Sequence, residues 1–210
     1  MPDGGRRRPT QVRSQRRLEA IVSAAAESFA RFGFADTTME GIAARAGTSI
    51  GSLYQFFPNK QAVFREVAQR CLGEARLGFA SLLGADPFAD PWDRTLSRVI
   101  DGFRRLHAGS VAMQAVWRNL ELYGEYAEDD QALLRELADA TAALLHVWGP
   151  HLVADRCRVV ATMLVNTVAT MMLVLVREGD AARADALADE TKRMLRCYLS
   201  GYLDPLPATP

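Results

Sequence analysis

The side chains best placed to do chemistry in this sequence are gathered in one short run. Ser49, Ser52, Tyr54 and Gln55 fall within seven residues, interleaved with Ile50, Leu53 and Phe56. At helical spacing Leu53 and Phe56 turn inward and leave the serines, the tyrosine and the glutamine facing out. Outward hydroxyls and amides suit phosphate oxygens and base edges, and the small Gly51 lets the backbone approach a groove closely. Thr38, Arg45, Thr48 and Lys60 lie close by and add two hydroxyls and two positive charges. This is recognition chemistry rather than bond making. The chain carries no G-x-S-x-G, no H-E-x-x-H, no P-loop and no nucleophile with a paired base, so neither an enzyme nor a bound cofactor is expected. His107, His146 and His151 are too widely spaced for a recognised metal pattern. Cys71, Cys157 and Cys197 stand singly, which reads as buried, reduced thiols of a cytosolic protein.

The elements that must hold this run in place are short helices joined by tight turns. Leu18, Ile21, Val22, Ala25, Phe29 and Phe32 follow a helical period that Gly33 stops. A second helix is expected from Thr37, whose hydroxyl and Glu40 form a capping box; it buries Met39, Ile42, Ala43 and Ala46 and ends at Gly47. The third helix starts at Ser49 as N-cap and stops before Pro58. Asn59 caps the fourth, which carries the stripe Val63, Phe64, Val67, Ala68, Cys71 and Leu72. Small residues at Ala43, Ala44 and Ala46 allow a close crossing, and Gly47 supplies a positive-φ turn. Residues 37–57 thus provide a support helix, a turn and a second helix able to enter a major groove about 12 Å wide.

Charge divides the chain in the same way. Residues 1–70 hold eleven Lys/Arg against six acids, and the balance reverses over 71–210, so a net charge of zero hides a basic front and an acidic back. A polyanion is the natural partner for the front. Residues 1–14 have nothing to bury and read as a disordered basic arm in which Arg6, Arg7, Arg8 and Arg13 could follow a backbone or a minor groove.

The stretch from Phe32 to Lys60, Phe-Gly-Phe-Ala-Asp-Thr-Thr-Met-Glu-Gly-Ile-Ala-Ala-Arg-Ala-Gly-Thr-Ser-Ile-Gly-Ser-Leu-Tyr-Gln-Phe-Phe-Pro-Asn-Lys, resembles the DNA-binding signature of TetR-family transcriptional regulators. Thr48 stands where that family usually has Val, which adds a hydroxyl at the turn. Ile50 stands where Lys or Pro is also common, which removes one phosphate contact. The resemblance implies phosphate contacts from Thr38 and Tyr54, a further charge from Lys60 at a helix N-terminus, and groove contacts from Ser49, Ser52 and Gln55, with Arg45 on the exposed face of the support helix.

The expected fold is all-α: a three-helix DNA-binding domain with a helix-turn-helix, joined to a helical ligand-binding and dimerisation body, about nine helices in all. The DNA-binding domain is placed at 15–75, with the helix-turn-helix at about 38–57, and the body at 76–205. Body helices are expected from Pro91 to His107, around Ser110–Trp117, over Asp129–Val147 and Val153–Val176, and in a last stretch carrying Leu187, Met194, Leu195, Tyr198 and Leu199. The apolar Val153–Val176 helix falls short of a membrane span, so no membrane is expected and the helix reads as buried on most sides. The excess apolar surface of the last two helices points to a homodimer, and in the family these helices pair as a four-helix bundle. Phe103, Met113, Trp117, Tyr123, Met163 and Asn166 are the candidate lining of a pocket for a small, largely apolar effector. The function expected is a cytoplasmic repressor that leaves a pseudo-palindromic double-stranded DNA operator when the effector binds. The alternative is a helical enzyme or adaptor with an apolar pocket and a basic N-terminus.

Overall fold

The computed structural model describes residues 9–84 and 88–204. Among them are nine α-helices, one 3-10 helix and no strand: α1 (Pro9–Asp36), α2 (Met39–Arg45), α3 (Ile50–Phe56), α4 (Lys60–Leu83), α5 (Trp92–Gly109), α6 (Val111–Arg118), the 3-10 helix (Leu120–Glu125), α7 (Ala127–Trp148), α8 (Ala154–Arg177) and α9 (Ala181–Leu203).

The chain divides into two compact units, and the division is not the single cut expected at 75/76. The first unit takes residues up to Cys71 together with Ser110–Ala127; the second takes Leu72–Gly109 and the chain from Glu128 onward. The reason is packing: α6 lies against α1, so a segment far along the sequence returns to complete the first core. That core is built by Ile21, Val22, Ala25 and Phe29 of α1, Ile42 of α2, Leu53 of α3 and Val63, Phe64 and Val67 of α4, with Met113 and Val116 from α6, all buried. Phe29, Phe34 and Phe64 meet with ring centroids 5.4–5.8 Å apart, in stacked and edge-to-face arrangements.

Local details depart from the sequence expectations. Residues 1–8 lie outside the described chain, but residues 9–14, expected as part of a loose arm, are the first turns of α1. Gln11, Arg13, Gln15 and Arg16 are good helix formers, and Gln15 bonds Glu19 one turn on. Thr38, not Thr37, caps α2: its Oγ1 accepts from the Gly41 N–H at 3.0 Å. Thr37 is buried instead, and its hydroxyl donates to the Gly33 carbonyl. Gly33 has φ 81° and ψ 170°, a conformation that only glycine adopts readily, and it breaks α1 rather than ending it. After α3 the fully inward aromatic is Phe57 rather than Phe56, which is half-buried.

The second unit holds the C-terminal part of α4 with α5, α7, α8 and α9. Leu72, Phe79, Leu133 and Leu137 form its apolar cluster, with Ala75, Leu83, Phe103 and Val165 packed on it. Lys192 of α9, mostly buried, bonds Asp101 of α5 at 2.6 Å, and Arg104 pairs with Asp185 along the same two helices. The expectation that α8 is buried on most sides is corrected. It spans 24 residues and is long and apolar enough, by length and composition, to cross a membrane, yet only 28% of its most apolar window is buried. Cys157, Val160, Ala161 and Leu164 form one inward stripe. Val159, Met163 and Val174 lie on an exposed one. Of the three cysteines, Cys197 is exposed, contrary to expectation; Cys71 and Cys157 are buried and free.

Candidate nucleic-acid interface

The exposed face of α3 is shaped from beneath. Leu53 is fully buried and fixes the helix rotation, so Ser49, Tyr54 and Gln55 are left exposed and Ser52 half-exposed. Tyr54 keeps 49% of its surface open, too much for a core aromatic. Ser49 is the N-cap, its Oγ accepting from the Ser52 N–H at 3.2 Å. The turn before it uses Gly47 at φ 63°, and a Cβ there would meet nothing within 4 Å, so glycine is required by backbone conformation alone. The Thr48 N–H donates to the Ala43 carbonyl, and its side chain is half-buried at that turn. Thr38 is exposed. With its oxygen already accepting from Gly41, its hydroxyl proton remains available to donate outward.

The two cations singled out from sequence are engaged within the protein. Lys60 Nζ donates to the carbonyls of Phe34 at 2.6 Å, Ala35 at 3.3 Å and Thr37 at 2.6 Å, and lies 4.4 Å from the Phe34 ring centroid. An ammonium has three protons, so a phosphate could be served only by releasing one of these carbonyls. Lys60 is therefore a clamp on the α1–α2 turn and offers its field rather than a free donor. Arg45 NH1 pairs with Glu27 of α1 at 3.4 Å, and its guanidinium lies 6.0 Å from the Phe32 ring. It is held toward α1.

Two residues that sequence reasoning passed over hold the same region. Asn119, with 1% of its surface exposed, accepts from the Phe34 N–H at 2.6 Å and donates to the carbonyls of Phe29 at 3.3 Å and Ala115 at 2.6 Å. Arg17 of α1 donates to Ser52 Oγ at 3.3 Å and so touches the exposed face of α3 from the side. For Arg17 a signal existed in the sequence: it lies one helical turn before Ile21, on the ridge that enters the core.

The six residues expected to line a pocket are divided between the two units. Met113, Trp117 and Tyr123 belong to the first unit, where Met113 is core and Tyr123 stands edge-on to Tyr126, 39% exposed. Phe103 belongs to the second unit and packs on Phe79. Met163 and Asn166 lie on the open side of α8, and Asn166 Nδ2 donates back to the Thr162 carbonyl.

Residues 21–67 match the family described as bacterial regulatory proteins, tetR family, and residues 91–199, just over half of the chain, match the tetracyclin repressor-like C-terminal domain. An uncharacterized HTH-type transcriptional regulator of Bacillus subtilis, YhgD, is 30% identical over 118 residues, covering 50% of this chain and 61% of that protein. The chain thus aligns with less than two thirds of that relative's length. The crystal structure of a TetR-family regulator from Pectobacterium atrosepticum superposes with a TM-score of 0.71 at 16% identity, covering 96% of this chain and all of that one. FadR from Bacillus subtilis, solved with stearoyl-CoA, gives a TM-score of 0.62 at 21% identity over 84% of this chain and 96% of that one. At such identities the solved structures share the fold. With both of its parts matched by the family's two domains, the chain belongs to the TetR family of transcriptional regulators.

Proposed function

We propose that this protein is a DNA-binding transcriptional regulator, a cytoplasmic repressor that binds a pseudo-palindromic operator as a homodimer and leaves it when a small, largely apolar effector binds. The observation that carries the reading is the α3 face: Ser49, Tyr54 and Gln55 are exposed and Ser52 half-exposed on a helix whose rotation is fixed by fully buried Leu53. Tyr54 and Thr38 suit phosphate oxygens; Ser49, Ser52 and Gln55 suit base edges, where an amide can reach adenine in bidentate fashion.

The homodimer rests on surface that the protomer leaves open. On α8, Val159, Met163, Asn166, Thr170 and Val174 follow each other at spacings of three and four and are all exposed. Met194 and Tyr198 of α9 are 48% and 37% exposed. A second copy of the same helices covers such a stripe, and Asn166 at its middle would fix the register, as a polar residue in a helical seam does. A two-fold pair then reads two half-sites about 34–36 Å apart.

Effector control follows from the chain's division. α4 gives its first half to the first unit and the remainder to the second, so it is the covalent route from the body to Lys60. Phe79, Leu133, Leu137 and Phe103 give the second unit an apolar interior whose chemistry suits an apolar effector, and FadR from Bacillus subtilis was solved with stearoyl-CoA. An effector that prefers a body conformation with misplaced recognition helices shifts the population away from DNA. Gel-shift titration with the DNA upstream of the protein's own gene tests the reading. A discrete, salt-sensitive complex that survives excess unrelated DNA is expected, and its absence would sink the proposal.

A further inference from the structure

We propose that Arg17 is a second DNA-contacting cation of this interface, one that both reaches a phosphate and sets the hydrogen-bonding sense of Ser52. The proposal rests on the DNA-binding reading above and adds a residue and a role to it.

Three observations carry it. Arg17 NH1 donates to Ser52 Oγ at 3.3 Å, so a guanidinium from α1 sits beside the exposed face of α3. Among the described residues no carboxylate lies within ion-pairing distance of Arg17, whereas Arg45 is paired with Glu27 and the Lys60 ammonium is bonded to three carbonyls. The cations nearest the recognition helix therefore differ in what they can still do, and Arg17 keeps the remaining N–H groups of its planar fork for an anion. The third is its mounting. α1 is helical from Pro9, and Arg13, Arg17 and Ile21 succeed one another at intervals of four, with Ile21 fully buried. A ridge anchored in the core at Ile21 passes Ser52 at Arg17 and carries Arg13 one turn, about 5.4 Å, farther out.

The bond to Ser52 has a chemical consequence. A serine hydroxyl has one proton to donate and accepts through its lone pairs. With Arg17 donating to its oxygen, the Ser52 proton points away from the guanidinium. Ser52 then addresses the groove as a donor, suited to acceptors such as guanine O6 and N7, adenine N7, thymine O4 or a phosphate oxygen. Arg17 meanwhile spans from Ser52 to the flanking backbone, where a guanidinium binds phosphate through paired N–H groups.

The test uses the full-length protein and a duplex selected by the wild type from a random-sequence pool, with affinity measured from 50 to 300 mM salt. For Arg17→Ala the expected result is a roughly tenfold weaker complex and a slope of log K against log salt smaller by about one unit per bound protomer. Arg17→Lys is expected to keep the slope but recover only part of the affinity, because an ammonium lacks the planar, paired N–H groups with which a guanidinium grips a phosphate. Ser52→Ala is expected to weaken binding less in the Arg17→Ala background than in the wild type, since the two side chains act as one unit. Circular dichroism and thermal melting of each variant report whether the fold is kept, and Arg17, fully on the surface, is expected to leave them unchanged. If the wild type selects a duplex and Arg17→Ala binds it with unaltered affinity and slope, the role of Arg17 is overturned while DNA binding stands. If the wild type selects no duplex, the DNA-binding reading itself fails, and Arg17's role with it.

Discussion

The buried carboxamide of Asn119 accepts a hydrogen bond from the Phe34 backbone N–H at 2.6 Å, while the Phe34 carbonyl accepts one from Lys60 Nζ, also at 2.6 Å. One residue of the α1–α2 turn is thus held at its donor from α6 and at its acceptor from α4. The turn needs such holding because Gly33, just before it, leaves helical geometry at φ 81°. The placement of α2, and through it α3, depends on this point.

Asn119→Ala removes three hydrogen bonds at a site with 1% exposure and leaves the Phe34 N–H without its acceptor. We expect a loss of about 2–4 kcal/mol, given roughly 1–3 kcal/mol for an orphaned buried group plus the lost packing. Urea unfolding followed by circular dichroism measures it, and a loss below 0.5 kcal/mol, within the ordinary range of surface substitutions, would contradict the assignment.

Lys60→Met keeps the stem but removes the ammonium from the carbonyls of Phe34, Ala35 and Thr37. The expected effect is on stability first, about 1–3 kcal/mol, with DNA affinity reduced because the α1–α2 turn loosens. Denaturant midpoints and operator titrations on the same samples separate the two. A variant of unchanged stability that binds DNA poorly would return Lys60 to the role of phosphate contact.

His107 gives the second unit a pH dependence of defined sign. Burial holds its imidazole below the ordinary value of 6.5, so the folded protein resists a proton that the unfolded chain accepts. The unfolded state then binds more protons as pH falls below 6.5, and stability drops until the folded pKa is reached; above 6.5 the group has no effect. Melting temperatures between pH 7.5 and 5 are expected to fall, and His107→Gln to fall less over the same window. Parallel curves for the two proteins would show that another group is responsible.

Met163 and Val159 are 55% and 56% exposed one turn apart on α8. If a second copy covers this stripe, Met163→Glu places an unpaired carboxylate in an apolar seam at a cost of about 2–4 kcal/mol, a dissociation constant raised roughly 30- to 1,000-fold. Sedimentation velocity is expected to report dimer for the wild type and monomer for the variant at micromolar concentration. A wild-type monomer would remove the dimer from the account.

What the sequence made legible is what local chemistry decides. The Ser49 cap, the Gly47 turn and the Asn59 cap are single-residue signals read within four positions, and each is where it was expected. Thr37 and Thr38 could not be told apart that way, since either hydroxyl can cap; burial of Thr37 decided it. Partners far along the chain were out of reach. Nothing in the sequence near Lys60 says that its ammonium meets carbonyls 23–26 residues earlier, or that Asn119 reaches back 85 residues to Phe34. The lining of an effector site was out of reach for a related reason. Residue type alone does not separate a pocket wall from a core position such as Met113 or an open helix face such as Met163.

The central claim is that the α3 face reads DNA sequence, and fluorescence anisotropy on a duplex selected by the wild type, against a scrambled duplex at 150 mM salt, tests it most directly. The account predicts wild-type selectivity of at least a thousandfold. It also predicts that Tyr54→Ala combined with Gln55→Ala brings the selected duplex down to the scrambled one, while the melting temperature stays within a few degrees of wild type. A double variant that stays folded and keeps its preference for the selected duplex would contradict it.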